Sequence, residues 1–198
     1  LAPVPLHPLT LTPAAHLSGK SVVGAECPTS KDGWATHPFL LKPMLDYYVV
    51  GGVNRFYFHT MVHQPWGDEI KPGMSMAGYG QQINRNNVWY SQARTCSDYM
   101  ARTQHLLQSG TIQNDFLVIC GNLDASYNYY VRGGGNLPKF DPDHLPGGAT
   151  YDIGGTDTLR DLSVDKDGTI RVTHKGRKLN VGYQAILLER AALLLPEK

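Results

Sequence analysis

The sequence predicts an α/β fold, the later part of a (β/α)8 TIM-type barrel followed by a short β-rich segment leading to another domain. Short apolar strands alternate with amphipathic helices over the first 120 residues, which is the pattern of parallel βαβ units. A closed barrel of this kind needs about 250 residues, and three units supply less than half of it. We therefore expect a partial barrel whose remaining segments lie outside these 198 residues.

Composition narrows the class of protein. A hydrophobic fraction of 41% with 18% charged residues predicts a globular protein with a substantial core. A net charge of +1 gives no broad basic surface, so no nucleic-acid partner is expected. No apolar run approaches the roughly 18 residues of a membrane helix, so no membrane partner is expected either. Three widely spaced cysteines encode neither a disulfide framework nor a zinc site.

The first βαβ unit begins after a proline-rich stretch. Residues 1–13 contain four prolines and are predicted to be irregular, with a short helical stretch ending near Leu17. Residues 21–26 are apolar until the final glutamate, which is typical of a buried strand. Residues 42–50 predict a helix, with Pro43 in its first turn.

The second and third strands flank a long irregular stretch and a helix. Residues 53–59 are rich in aromatic residues and predict a strand. Residues 60–90 show no periodicity, and loops of such length are usually functional or disordered. A helix capped by Ser91 and ended by Gly110 follows, and residues 115–120 predict the third strand.

The remainder of the chain carries different signals, and we expect no further barrel strand from it. A hairpin is predicted within residues 162–172 and a buried strand at 183–188. The predicted domains are therefore residues 1–146, a partial catalytic barrel with long active-site loops, and residues 147–198, a β-rich connection to a following domain.

Two polar residues end neighbouring predicted strands. Glu26 ends the first strand and is followed at once by Cys27 and Pro28, while His59 ends the second. The carboxyl ends of barrel strands form the active-site face, which makes Glu26 a candidate catalytic carboxylate. Taken alone, a glutamate at this position is equally compatible with the start of a solvated loop.

The long stretch after His59 suits a sugar ligand. His63 lies four residues further on, but a strand followed by a loop gives that spacing no metal-binding geometry, and hydrogen bonding to a polar ligand is favoured. Trp66 and Trp89 offer aromatic faces near the amide of Asn87, a mixture common in ligand pockets. A loop that packs on itself through its aromatic residues is an equal alternative.

Several unlike motifs then resemble one family in the same order. The chain resembles glycoside hydrolase family 106, the α-L-rhamnosidases, over roughly residues 14–120. The matching stretches are residues 15–20, 22–30, 52–59, 64–66, 72–74, 84–89 and 99–110. Residues 161–196 more loosely resemble the segment that leads from the barrel to the next domain in these enzymes.

The resemblance implies inverting hydrolysis of terminal α-L-rhamnosyl residues from oligosaccharides, polysaccharides or glycosides, with two glutamates and a bound calcium. Glu26 corresponds to the second glutamate, which we assign as general base; the acid comes from an earlier strand outside this chain. The calcium ligands are not identified in this stretch. Cys27–Pro28 and Val88–Trp89–Tyr90 depart from the family pattern, which bears on sugar identity more than on reaction class.

The resulting hypothesis is a rhamnosidase-like glycoside hydrolase with a carbohydrate substrate. The residues predicted to shape the sugar site are His59, His63, Gln64, Trp66, Asn87 and Trp89. Two alternatives stay open: a non-catalytic carbohydrate-binding relative, and a barrel glycosidase with β-galactosidase-like specificity. The compartment is undetermined, although this substrate class favours a secreted or periplasmic enzyme. The isolated chain is expected to be unstable and inactive, because an open half-barrel leaves strand edges uncovered.

Overall fold

A computed structural model describes residues 8–76, 78, 80–119 and 145–188. In chain order the helices and strands are α1 (Pro8–Leu17), β1 (Gly24–Glu26), α2 (Pro38–Val50), β2 (Arg55–Tyr57), α3 (Ala93–Ser109), β3 (Gln113–Ile119), β4 (Tyr151–Gly154), β5 (Leu162–Val164), β6 (Ile170–His174) and β7 (Arg177–Leu188). Among these residues, no helix is both long and apolar enough to cross a membrane.

The chain divides into two compact units. Residues 22–110 form one unit, and residues 1–21 together with 111–198 form the other. The predicted boundary between residues 146 and 147 does not coincide with this division. That boundary concerns the domains of a longer protein and stays a prediction.

The α/β class and the order strand, helix, strand, helix, strand are confirmed, whereas several predicted ends are wrong. Helix α1 already begins at Pro8, inside the stretch predicted to be irregular. Helix α2 begins at Pro38 rather than at residue 42. Proline is tolerated at the first helical position because the backbone N–H that it lacks would have no partner within the helix there. Ser91 lies in a 3-10 turn before α3 and does not cap it. Cys120, the predicted end of the third strand, lies outside the described residues.

In the unit of residues 22–110, β1 and β2 form a parallel pair in which Glu26 lies opposite Tyr57. Phe56 points to the other side and packs against Leu41 and Leu45 of α2 and Met100 of α3. One side of the strand pair is therefore covered by helices, while Glu26 and Tyr57 on the opposite side are exposed. Strands of a (β/α)8 barrel are covered in the same way, with helices on the outer side.

Side chains of α3 make hydrogen bonds to the backbone groups on the edge of β2 that faces away from β1. The amide oxygen of Gln104 accepts a hydrogen bond from the backbone N–H of Phe56 at 3.1 Å. The side chain of Gln108 donates to the backbone oxygen of Asn54 at 2.6 Å. These two glutamines lie one helical turn apart in a stretch that matched the family motif, which gives that motif a structural role.

The other unit contains a five-stranded sheet in the order β4-β3-β7-β6-β5. Strand β3 is parallel to both β4 and β7, and β5, β6 and β7 are antiparallel, as the predicted hairpin requires. Strands β4 and β7 flank β3 in parallel, and this pairing was not predicted. Sequence pattern missed this, since a parallel partner can come from any distance along the chain. The core residues of this sheet are Leu117, Ile119, Val172, Val181 and Tyr183.

A buried polar network joins α1 to this sheet. Nδ1 of His16 lies 3.0 Å from both carboxylate oxygens of Asp152, and the hydroxyl of Tyr183 donates to Oδ2 of Asp152 at 2.9 Å. All three residues are buried. Burial and the neighbouring carboxylate raise the pKa of Tyr183, so its hydroxyl stays protonated as a donor. The carboxylate of Asp152 is thus compensated inside the core.

Candidate active site

Glu26 lies at the carboxyl end of β1, on the side that the helices leave open. Just beyond it, the backbone N–H of Cys27 donates to the carbonyl of Tyr57 at 3.1 Å, which extends the pairing of the two strand ends. With the residues that the structure describes, the Glu26 carboxylate makes no hydrogen bond or ion pair. It is therefore exposed, anchored through its backbone, and free to act on a ligand.

Tyr57 is a neighbour of Glu26 that sequence reasoning missed. A Cβ built on Gly24 would lie only 2.6 Å from the Cε2 atom of the Tyr57 ring, so this ring lies directly over Gly24. Gly24 and Glu26 share one side of β1, because they are two residues apart in a strand. The ring remains 55% exposed. A glycine inside a strand often marks such a close approach, which was the available signal.

His59 follows β2 by two residues and is fixed through its backbone. Its carbonyl accepts a hydrogen bond from the N–H of Gln81 at 2.9 Å, and Thr60 donates to the carbonyl of Gln81 at 3.0 Å. Gly80, with φ +69°, passes so close that a Cβ there would lie 1.9 Å from the His59 oxygen. Because β1 and β2 are parallel, Glu26 at the end of β1 and His59, two residues beyond β2, lie at the same end of the strand pair, although β2 was predicted to extend to His59.

Most of the stretch predicted to be irregular, residues 60–90, is held together by bridges and by side-chain bonds. Met61 pairs with Ile83, and His63 pairs with Met74, in two isolated β-bridges. Local hydrogen bonds then connect its turns to one another. His63 is exposed, and its side chain faces solvent rather than a described partner.

Two of the predicted sugar-binding residues use polar groups to hold the loop itself. The side chain of Gln64 donates to the carbonyl of Gly67 at 3.3 Å. Oδ1 of Asn87 accepts from the backbone N–H of Asn84 at 2.8 Å. These bonds leave one amide atom of each side chain, Oε1 of Gln64 and Nδ2 of Asn87, for other partners.

The two tryptophans differ in whether the protein engages their side chains. The indole N–H of Trp89 donates to the carbonyl of Thr36 at 2.9 Å, so its orientation is fixed by the protein. Trp66 is 41% exposed and presents its ring to solvent. Trp66 is consequently an aromatic surface of this loop that solvent reaches.

Several buried polar atoms in this unit have no partner among the described residues. They are Nδ1 of His59, Oε1 of Gln64, both amide atoms of Gln81, and Nδ2 of Asn87. An unsatisfied buried polar atom costs about 1–3 kcal/mol, so native structures rarely leave one. Water, a hydroxylated ligand or further protein segments would each supply the missing bonds.

A metal site does not emerge from this part of the chain. Within the described ranges, no three His, Cys, Asp or Glu residues are grouped as metal ligands. Cys27, next to Glu26, is fully buried, and this burial raises its thiol pKa to about 12, which disfavours the thiolate that metals bind. Calcium binds oxygen ligands, and the described residues group no three acidic side chains that would supply them.

The comparisons with known proteins agree on one family. The family described as alpha-L-rhamnosidase, glycoside hydrolase family 106, matches residues 11–194. A protein of Formosa agariphila named "Putative beta-glucuronidase" is 35% identical over 190 residues, covering 96% of this chain and 15% of the relative. The rhamnosidase from Novosphingobium sp. PP1Y has a similar structure, with a TM-score of 0.69, 33% identity, and coverage of 92% of this chain and 17% of that one.

The matches cover very different shares of the two proteins that each one compares. The chain spans only about a sixth of the length of either relative. The family match, in contrast, covers nearly the whole of this chain. The chain belongs to glycoside hydrolase family 106, the α-L-rhamnosidase family.

Proposed function

We propose that this chain supplies the general base and part of the sugar site of an inverting glycoside hydrolase that removes terminal α-L-rhamnosyl residues from oligosaccharides, polysaccharides or glycosides. One observation carries the proposal. Glu26 ends a strand on the side that helices leave open, with its carboxylate exposed beside Tyr57, in a chain of the α-L-rhamnosidase family.

The proposed chemistry follows from inversion. One carboxylate takes a proton from water as the water attacks the anomeric carbon, and a second, protonated carboxyl group gives a proton to the leaving oxygen. The two carboxyl groups stand about 6.5–9.5 Å apart so that the water fits between them. Glu26 is the base in this proposal. The acid belongs to an earlier strand of a longer protein.

The sugar site is proposed to include both loop and strand-end residues. The ring of Trp66 offers an apolar face to the C–H face of rhamnose, and Trp89, whose indole N–H is engaged by the protein, lines the site with its ring. His63 is exposed and can meet sugar hydroxyls directly. The unpartnered atoms of His59, Gln64 and Asn87 complete the set, because hydroxyl groups or ordered water would satisfy them.

The rest of the protein is part of the same proposal. Other segments of the longer protein complete the TIM-type barrel around the open side of β1 and β2, and a calcium ion, if the enzyme uses one, takes ligands from those segments. The substrate class favours a secreted or periplasmic location.

The experiment is a substitution of the proposed base in the full-length enzyme. Glu26→Gln keeps the shape of the side chain but cannot accept the proton, so hydrolysis of an aryl α-L-rhamnoside should fall by at least ~100-fold. Glu69→Gln is the matched control, an exposed glutamate of the same unit, and should retain activity. Near-normal turnover by Glu26→Gln would eliminate Glu26 as the base.

Inversion at the anomeric carbon is tested by a separate measurement. An inverting enzyme releases β-L-rhamnose first from an α-L-rhamnoside, and proton NMR of the early product distinguishes the two anomers. Release of the α-anomer would show a retaining mechanism, in which the second carboxylate acts as nucleophile at about 5–5.5 Å from the acid.

A second sugar specificity is favoured by one comparison. The Formosa agariphila relative carries the name of a β-glucuronidase. Residues 27–28 and 88–90 also depart from the rhamnosidase pattern. A screen of aryl α-L-rhamnoside, β-D-glucuronide and β-D-galactoside with the full-length enzyme decides between them. If the enzyme turns over only the glucuronide, the proposed substrate becomes a β-D-glucuronide. The role of Glu26 is then tested by Glu26→Gln on that substrate.

A further inference from the structure

We propose that Arg85 is a positioning residue that holds the Trp66 segment, residues 64–68, in the conformation that binds sugar, and that it is not itself a sugar ligand. The inference rests on the proposed function, because it concerns the same sugar site. An exposed arginine beside aromatic residues in a loop would ordinarily suggest direct contact with the substrate.

The guanidinium group is already occupied by the segment that it would hold. Nη1 of Arg85 donates to the carbonyl of Gln64 at 3.0 Å, and Nη2 donates to the carbonyl of Trp66. Nε donates to Oδ1 of Asp68 at 3.1 Å. All three nitrogens therefore point at three alternate residues of one segment. The rigid, planar guanidinium suits this task, since its donors have fixed directions.

The backbone that carries Arg85 is fixed in turn. Oδ1 of Asn87 accepts from the N–H of Asn84 at 2.8 Å, and Oδ1 of Asn84 accepts from the N–H of Asn86 at 2.8 Å. The amides of Asn84 and Asn86 both donate to the carbonyl of Pro72, at 3.0 and 3.3 Å. Residues 84–87 thus form a closed turn from which Arg85 reaches across to the Trp66 segment.

The Trp66 segment is also held by the side chain of Gln64, which donates to the carbonyls of Gly67 and Ile70. It lies outside any helix or strand, and four of its five residues are exposed, Gln64 being the half-buried one. Without Arg85, the carbonyls of Gln64 and Trp66 would turn to water and the segment would sample other conformations. Sugar binding would then have to order the segment, which weakens binding while leaving the chemistry at Glu26 largely unchanged.

The experiment compares three variants of the full-length enzyme. Arg85→Met keeps most of the apolar stem but removes every donor, whereas Arg85→Lys keeps the charge with a single donor group. Arg94→Met is the matched control, because the Arg94 side chain is 90% exposed on α3 and pairs with Asp98 one turn away. The kinetics of aryl α-L-rhamnoside hydrolysis and hydrogen–deuterium exchange of peptides covering residues 60–76 are measured for each.

For Arg85→Met we expect KM to rise about 10-fold while kcat changes less than about 3-fold, which is the pattern for loss of ground-state binding. Arg85→Lys should give an intermediate KM, and Arg94→Met should match the wild type. Exchange in residues 64–68 should become faster in Arg85→Met alone. An unchanged KM, or an equal fall of kcat and kcat/KM, would overturn the positioning role.

Two further outcomes separate this inference from its alternatives. If Arg85 binds a sugar carboxylate directly, Arg85→Met will abolish turnover of an aryl glucuronide, without faster exchange in residues 64–68, and the inference is wrong. If the wild-type enzyme hydrolyses no rhamnoside, the proposed function fails, but the exchange measurement still tests Arg85. Unchanged exchange in Arg85→Met would overturn the inference whatever the substrate.

Discussion

The two units of this chain hold their backbones in different ways. In the five-stranded sheet of residues 111–188, regular ladders satisfy the main chain and a buried core lies beneath them. In residues 22–110, the strands are only three residues long, and the stretch between β2 and α3 is held by isolated bridges, turns and side chains bound to backbone carbonyls. The candidate active site therefore lies in the unit with less regular structure, where loops can carry function.

The largest effect on stability is expected in the sheet unit, at the buried network. Asp152→Ala removes the carboxylate that His16 and Tyr183 share, which leaves both polar groups buried without a partner. Breaking a buried pair from one side costs about 3–5 kcal/mol. Hydrogen exchange at the amides of β3 and β7 in the full-length protein should report a fall of that order in the free energy of opening.

A control for this prediction lies in the same unit. Asp157 forms an exposed pair with Arg160 at 3.6 Å, and both side chains are more than 80% exposed. Asp157→Ala should leave the exchange of β3 and β7 unchanged, because exposed pairs contribute little. If Asp152→Ala also leaves the exchange of β3 and β7 unchanged, the buried network does not stabilise the sheet unit. The contrast between a closed sheet unit and an open site unit is then not supported.

The next effect is expected in the site unit, at Gly80. A side chain there would adopt φ +69° and place Cβ 1.9 Å from the carbonyl oxygen of His59. Gly80→Ala should therefore displace His59, and a shift of about 1 Å at a site costs up to ~100-fold in activity. We expect kcat/KM for the aryl rhamnoside in the full-length enzyme to fall at least ~10-fold on this basis.

Gly168 is the matched glycine in the sheet unit. It has φ +87°, but a Cβ there would meet no atom within 4 Å. Gly168→Ala carries the backbone cost of about 1–2 kcal/mol and no crowding. Its kcat/KM should stay near that of the wild type. Equal kinetics for the two variants would show that backbone strain, and not the position of His59, explains any loss in Gly80→Ala.

Sequence reasoning predicted the elements whose signals are local. β1, α2, β2 and α3 were found because apolar periodicity and flanking glycines mark such elements, although their ends differed by several residues. The hairpin of β5 and β6 was found from the turn between them. Glu26 was found because a polar residue at the end of an apolar strand stands out in the chain itself.

The features that sequence reasoning missed depend on partners distant in the chain. The acceptors of Arg85 are carbonyls of residues about twenty positions earlier, and a sequence does not show which carbonyls a side chain reaches. Tyr57 was missed because only the strand register places its ring over Gly24. The parallel pairing of β3 with β4 and β7 was missed for the same reason.

The smallest effect is expected at Cys27, which directly follows Glu26. Its side chain is fully buried, and this burial raises the thiol pKa to about 12. At pH 8 only about one thiol in 10,000 would be ionised, because each pH unit below the pKa lowers the thiolate fraction tenfold. Iodoacetamide at this pH should leave Cys27 unmodified in the folded full-length enzyme, and activity should not change. Labelling should appear only as the pH approaches 12 or when the protein unfolds.

Peptide mapping by mass spectrometry reads Cys27 separately from the half-buried Cys96, whose thiol pKa burial also raises. Cys96 serves as the internal reference and should react faster, since it is partly exposed. Rapid labelling of Cys27 at pH 8 would mean that the end of β1 opens in the native protein. The backbone beneath Glu26 would then be mobile, although a general base must be held within hydrogen-bond reach of its water. Slow labelling would instead show that the end of β1, which carries the proposed base, stays closed in the native protein.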